Sequence, residues 1–360
     1  MWIWSLPVPH ESLIGWDLGG AHIKAARLDE RGCISSVIQW PCPLWQGLDR
    51  LEWGIDSVLE RLGDWTGLRH AVTMTGELVD LFPDRASGVK ALIDVMSRRL
   101  PQERLQIYGG TAGFLTPDKA CHSVQQVASA NWLASASLAA GRLPEGLLID
   151  VGSTTTDLIP FSTRQVLAAG YNDHQRLVRG ELLYTGVVRT PLMALAKRVP
   201  FAGEWVSLMA EHFATTADIY RLTGALPEAV DLLPSADNGE KTIMGSARRL
   251  GRMLGLDVDF AHLDEWRRVS GFIAEQQLRM LADSCARLLS RGVLSASAPL
   301  VGAGAGRFLV KKLADRLDRP YLGFNEFFAH SRLMEARVAE CAPAVAVASL
   351  AVEEAACVRQ

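Results

Sequence analysis

Two segments of this chain follow one plan. Residues 13–40, LIGWDLGGAHIKAARLDERGCISSVIQW, read as an apolar strand ending on Asp17, a turn at Gly19 and Gly20, a second strand carrying Lys24, and a third strand after the turn at 30–32. Residues 147–169 repeat the plan. The strand at 147–149 ends on Asp150, the chain turns through Gly152, Ser153, Thr154 and Thr155, residues 157–161 run back, and residues 165–169 continue after a second turn. Asp17 and Asp150 occupy equivalent places 133 positions apart. Repetition on this scale predicts a duplicated architecture of two lobes, each opening with an antiparallel meander. At 360 residues, 49% of them hydrophobic, the chain has material for two separate cores.

The remaining segments complete each lobe. Between the two meanders, patterning predicts a helix over 49–63, a strand over 69–74, a helix over 88–99, a strand over 104–108 and a small-residue helix over 123–141. Residues 175–290 read as mostly helical, broken by Pro191, Pro200, Pro227 and Pro234, with Asp237 and Lys241 in a polar loop that suits a mobile cover. Residues 298–317 read as strand, glycine loop and amphipathic helix. The uncharged run 341–352 is shorter than the ~20 residues a bilayer requires and reads as a buried helix.

Charge and cysteine usage narrow the function classes. A net charge of -3 and a pI near 6.3 give no footprint for nucleic acid or an anionic membrane. A small phosphorylated partner fits better. Six cysteines lack zinc-ligand spacing, which predicts buried thiols in a reduced, cytoplasmic chain. The start, MWIWSLPVPHESL, has no basic stretch ahead of an apolar one and is not expected to be a signal peptide.

Small residues in a tight turn let backbone approach a ligand, and their N–H groups suit phosphate oxygens. Hydroxyls add neutral donors. A carboxylate at the adjoining strand end can hold Mg²⁺ through water, because this ion keeps most of its hydration and takes one or two carboxylates. Asp17 and Asp150 are therefore the candidate metal ligands, with Gly19, Gly20, Gly152, Ser153, Thr154, Thr155 and the third turn, Gly302, Gly304 and Gly306, as the phosphate cradle. The last turn is no dinucleotide fingerprint, since Arg307 stands where G-x-G-x-x-G needs glycine. Lys24 suits charge developing on a phosphate, and Asp157, on the returning strand, suits proton acceptance or orientation of a nucleophile. Glu77, Asp80 and Arg85 follow the strand at 69–74 and, with Glu181 and Tyr184, are candidate substrate contacts; surface ion pairing is the competing account.

The order DLGG…K, DVGSTTTD, VGAGAG resembles the phosphate and adenosine segments of the actin, Hsp70 and sugar kinase superfamily. Within it, DLGGAHIK, MTGELVDLFPDRASGV, LIDVGSTTTDLIP, RGELLYTGVVRTP and ATTADIYRLTG are similar to the hydantoinase/oxoprolinase-like family linked to tetrahydromethanopterin and methanofuran one-carbon metabolism. Ala21 and His22 stand where many sugar kinases carry Thr or Ser, which argues against phosphate transfer to a sugar. The resemblance implies an α/β, two-lobed, ribonuclease H-like fold with duplicated βββαβα cores. A first lobe over 1–143 would be joined by a helix at 343–360, and a second would span 144–342 with a helical insertion at about 190–290.

It also implies an Mg²⁺-dependent transferase of the methanofuran-core synthase type. Such an enzyme condenses a furylmethyl diphosphate with the phenol of a γ-glutamyl tyramine or tyrosine compound, and ATP is compatible with it but not required. A homodimer is also compatible. The same turns would serve an ATP-dependent kinase, a ring-opening hydrolase or a non-catalytic nucleotide-binding protein.

Overall fold

In the computed structural model, which describes residues 12–328 and 335–358, the chain opens with a meander of β1 (Leu13–Leu18), β2 (His22–Leu28) and β3 (Ile34–Pro41). The segment 1–11, most of the stretch read for a signal peptide, lies outside the described residues. Every position of β1 is buried, as a strand covered on both faces requires. Next come α1 (Leu48–Leu62), β4 (Arg69–Met74), α2 (Arg85–Arg99), β5 (Leu105–Tyr108) and β6 (Phe114–Leu115). They complete a sheet of order β3-β2-β1-β4-β5-β6, with β1, β4 and β5 parallel. Alternation along the strands sends Ile14, Trp16, Leu18, Ile23, Val72 and Met74 into one core with residues of α1 and α2.

After α3 (Pro117–His122), the helix expected over 123–141 is two helices, α4 (Val124–Val127) and α5 (Asn131–Arg142). Ser129, left-handed at φ 51, separates the last two.

The second meander is β7 (Glu145–Val151), β8 (Thr156–Ser162) and the two-residue β9 (Gln165–Val166). It leads through α6 (Asp173–Arg179) to β10 (Leu182–Leu183). The stretch expected to be helical then holds a hairpin, β11 (Arg198–Phe201) and β12 (Glu204–Ser207). Its turn residues Ala202 and Gly203 both have positive φ, the geometry that matches strand twist, and Pro200 sits in the strand rather than breaking a helix. Three helices follow: α7 (Thr216–Leu222), α8 (Ile243–Met253) and the 27-residue α9 (Leu263–Leu289). The chain re-enters the sheet as β13 (Leu300–Ala303), α10 (Arg307–Arg316) and β14 (Tyr321–Gly323), giving the order β10-β8-β7-β13-β14. The three central strands of each sheet share one arrangement: an antiparallel hairpin with a parallel strand beside its first member.

Two short-linked helices end the chain, α11 (Glu335–Glu340) and α12 (Ala342–Val358). The latter is the buried Ala/Val helix expected there. It packs on the face of the first sheet opposite α1 and α2, so closely that a side chain at Gly15 would lie 2.2 Å from the Ala344 carbonyl. Contacts divide the chain into one unit of residues 1–144, 163–166 and 324–360 and another of 145–162 and 167–323. Residues 324–328 and 335–342 therefore join the first unit, not the second.

Among the described residues no helix is long and apolar enough to cross a membrane. Cys42, Cys285 and Cys341 are buried, and burial pushes each thiol up to about 12; Cys33 and Cys121 are only half-buried.

Candidate functional site

In the first unit the ladder itself builds a row of polar side chains. The antiparallel register sets Lys24 beside Asp17, and the parallel register sets Thr73 on its other side. Partners in register project to one sheet face, so all three lie on the face that α12 covers, away from the core of Trp16 and Val72. Asp17 is 4% exposed, with Lys24 Nζ 3.9 Å from its Oδ2. Cys341, at the α11–α12 junction, feels the charges of Lys24, Glu340 and Asp17, which brings the buried Glu340 into this neighbourhood. Nothing in the local sequence around Glu340 signals that.

The second unit repeats the row with other residues. Asp150 pairs in register with Asp157 on one side and Ala303 on the other. Lys24 and Asp157 thus hold matching places, each seven residues after its strand-end aspartate. Asp157 has its own cation: Arg176 of α6, 1% exposed, donates Nη2–H to Asp157 Oδ1 at 2.6 Å and to the Glu181 carbonyl at 3.1 Å. The bond fixes the orientation of the Asp157 carboxylate, as a role in orienting a nucleophile requires.

The glycine turns differ from expectation in one respect. The Gly19 N–H donates to the His22 carbonyl at 3.0 Å, the Gly152 N–H to Thr155 at 2.9 Å and the Gly306 N–H to Val151 at 2.8 Å. These amides close the turns and are not available to a phosphate. The amides of Ser153 and Thr154 have no such acceptor among the described residues and can serve one.

Close approach explains two glycines. Gly304, at φ +80, passes so near Asp150 that a Cβ would stand 2.4 Å from Oδ1 and 2.2 Å from the Val151 carbonyl. A Cβ at Gly186 would lie 2.4 Å from the Ser153 carbonyl carbon.

Residues 185–190 support the hydroxyl turn from behind. Val187 N–H donates to the Gly152 carbonyl at 3.0 Å, while Val188 and Arg189 N–H donate to Ser153 at 3.1 and 2.9 Å. Gln277 Nε2 of α9 donates to Thr185 Oγ1 at 2.8 Å and to the Gly186 carbonyl at 2.9 Å, and its Oε1 accepts from the Tyr220 hydroxyl at 2.5 Å. Thr156 Oγ1 donates to the Thr185 carbonyl at 2.7 Å. Gln277 and Tyr220 were not legible as site residues, because each looks like an ordinary helix position.

Several expected substrate contacts serve the fold. Glu181 is 0% exposed and accepts from Ala169 N–H, Gly170 N–H and Arg291 Nη1, so it holds a loop together rather than meeting a ligand. Glu77, buried beneath α2, accepts from the Ser129 hydroxyl at 2.7 Å. Asp80 and Tyr184 are exposed and Arg85 half-buried at the start of α2, where Asp84 caps the helix. Asp237 and Lys241, read as a mobile cover or equally as a surface loop, both take part in ion pairs. Arg249, fully enclosed, joins Asp218 to Asp237, and Lys241 pairs with Asp231 at 3.2 Å, so ion pairs pin that loop.

No group of three or more His, Cys, Asp or Glu among the described residues could hold a metal by side chains alone. The arrangement still fits Mg²⁺: each unit offers a buried strand-end carboxylate, with Thr73 in register beside Asp17 and Asp157 beside Asp150, which suits an ion that keeps its water.

The hydantoinase/oxoprolinase family model matches residues 69–354. A (4-{4-[2-(gamma-L-glutamylamino)ethyl]phenoxymethyl}furan-2-yl)methanamine synthase of Methanocaldococcus jannaschii is 28% identical over 304 residues, covering 84% of this chain and 88% of its own. The synthase of the same name from Methanococcus vannielii is 33% identical over 119 residues, 33% of this chain and 53% of its own. Among solved structures, the activator of 2-hydroxyisocaproyl-CoA dehydratase from Clostridium difficile aligns over 97% of both chains with a TM-score of 0.46 and 11% identity.

Proposed function

The chain belongs to the hydantoinase/oxoprolinase family, and we propose that it is a transferase of methanofuran-type cofactor biosynthesis that joins a furylmethyl diphosphate to the phenol of a γ-glutamyl tyramine or tyrosine compound. The observation that carries this reading is the similarity over 304 residues to a synthase whose named product contains a phenoxymethyl-furan linkage. That linkage is one aryl ether. Its formation balances as phenol plus furylmethyl diphosphate giving ether, diphosphate and one proton.

The two rows support this chemistry. Diphosphate leaves readily only when its charge is met as the carbon–oxygen bond breaks. Mg²⁺, held through water by a strand-end carboxylate, Asp17 of the first unit or Asp150 of the second, would supply part of that neutralisation. Lys24 adds a fixed positive charge beside Asp17, and the Ser153 and Thr154 amides and hydroxyls donate to phosphate oxygens. The furan ring stabilises positive charge on the departing carbon, so the phenol needs little activation. Asp157, held by Arg176, orients the phenolic hydroxyl and accepts its hydrogen bond. ATP has no part in the balance.

Incubation of the purified protein with the aminomethyl-furylmethyl diphosphate, Mg²⁺ and either acceptor tests the reading. Mass spectrometry should find the ether from one of them. Absence of ether with both acceptors would remove it.

A further inference from the structure

Thr73 is buried at 0% exposure, and its Oγ1 has no hydrogen-bond partner among the described residues. A buried hydroxyl in that condition lowers stability, and native structures keep few of them without a reason. Its position supplies one. Thr73 is Asp17's in-register neighbour, on the side opposite Lys24, so cation, carboxylate and hydroxyl stand abreast on three adjacent strands. The row lies near the C-terminal ends of the parallel strands β1 and β4, where open α/β sheets bind ligands. Two residues back along β1, α12 already lies against Gly15.

The second sheet is an internal control. The residue beside Asp150 in the equivalent parallel register is Ala303, also fully buried. The architecture accepts a plain methyl group at this place, so the hydroxyl of Thr73 is not demanded by the strand.

We propose that Thr73 is a diphosphate-binding residue of the first-unit row, its Oγ1–H donating to a phosphate oxygen while Lys24 supplies charge and Asp17 faces the cation. This rests on the diphosphate-transfer reading for the identity of the ligand. A neutral donor suits the place, because a second cation there would compete with Mg²⁺ for Asp17.

The test uses full-length wild type, Thr73→Val and Thr73→Ser, with inorganic diphosphate and Mg²⁺ as the probe. Without ligand, Thr73→Val should melt about 2–4 °C above wild type, because a stranded hydroxyl is replaced by a methyl group of the same shape. The same variant should bind Mg²⁺-diphosphate about 10-fold or more weakly, the loss of a hydrogen bond to a charged group. Thr73→Ser should stay within about 3-fold of wild type.

Wild-type binding by Thr73→Val, or a melting point below wild type, overturns the assignment and makes the hydroxyl structural. Failure of wild type to bind Mg²⁺-diphosphate overturns it too. Thr73-dependent diphosphate binding without any ether product would instead retire the transferase reading and leave this one standing. Ether formation at the wild-type rate and KM in Thr73→Val would do the reverse.

Discussion

Single residues here hold or suppress charge in three distinct ways, and each has a measurable consequence. Asp17 and Lys24 face each other across a hairpin without a tight hydrogen bond, at 3.9 Å. Asp17→Asn and Asp150→Asn should each weaken Mg²⁺-diphosphate binding, by about 10-fold or more, in a calorimetric titration; unchanged binding in both would refute these carboxylates as holders of the ion. Lys24→Ala should lower kcat more than it raises KM, since its charge matters most as diphosphate departs.

Asp157 differs, being tied to the enclosed Arg176. Its amide variant keeps one acceptor but leaves that guanidinium undercompensated, so Asp157→Asn should lose about 1–3 kcal/mol of stability as well as rate. An unchanged denaturation midpoint would contradict this.

His70 is neutral by enclosure. Trp16 Nε1–H donates to its Nδ1 at 3.1 Å, and burial lowers its pKa to about 4. The unfolded chain protonates near pH 6.5, the folded one only near 4, so the unfolded state binds more protons between them. Stability contributed by neutral His70 is complete above pH 6.5 and falls as pH drops towards 4, by about 3 kcal/mol in all. His70→Phe should flatten that part of the pH profile in urea titrations, and an equally steep profile would exclude His70 as its source.

At the scale of elements, the hydroxyl turn depends on helices far away in sequence. Gln277 reaches from α9 to Thr185 and Gly186, whose neighbours hold Gly152 and Ser153. Gln277→Leu strands the Tyr220 hydroxyl and the Thr185 oxygen, and should cost about 1–3 kcal/mol while lowering ether formation. Full activity in that variant would show that the turn holds its shape alone. Gly304→Ala should be harsher, as its methyl would overlap Asp150 and Val151 and demands a positive φ besides.

The hairpins that bear the rows were legible because strand, turn and carboxylate are contiguous in sequence. Their in-register partners were partly hidden: Thr73 comes from a strand 56 positions beyond Asp17. Glu181 misled for a related reason. A charged residue in a polar segment reads as exposed, and only its bond to Arg291, 110 positions away, shows why it can be buried. The β11–β12 hairpin was missed because Pro200 and Gly203 look like helix breakers when the pairing strand is not known.

For the whole molecule, duplication explains both what is shared and what has diverged. Each sheet sets a carboxylate at the end of its central strand, seven residues before its hairpin partner. One copy then supplies Lys24 and Thr73, the other Asp157 and Ala303. A common scaffold with unlike substituents lets each unit offer different chemistry, positive charge in the first and a hydrogen-bond acceptor in the second. The central claim is that the phenolic oxygen displaces diphosphate, without nucleotide. The most direct test supplies γ-glutamyltyramine labelled with ¹⁸O in the phenol, together with the furylmethyl diphosphate and Mg²⁺, and follows the label by mass spectrometry. The account predicts labelled ether and unlabelled diphosphate in equal amounts with no ATP added; label in the phosphate products, or ether formed only when ATP is present, would contradict it.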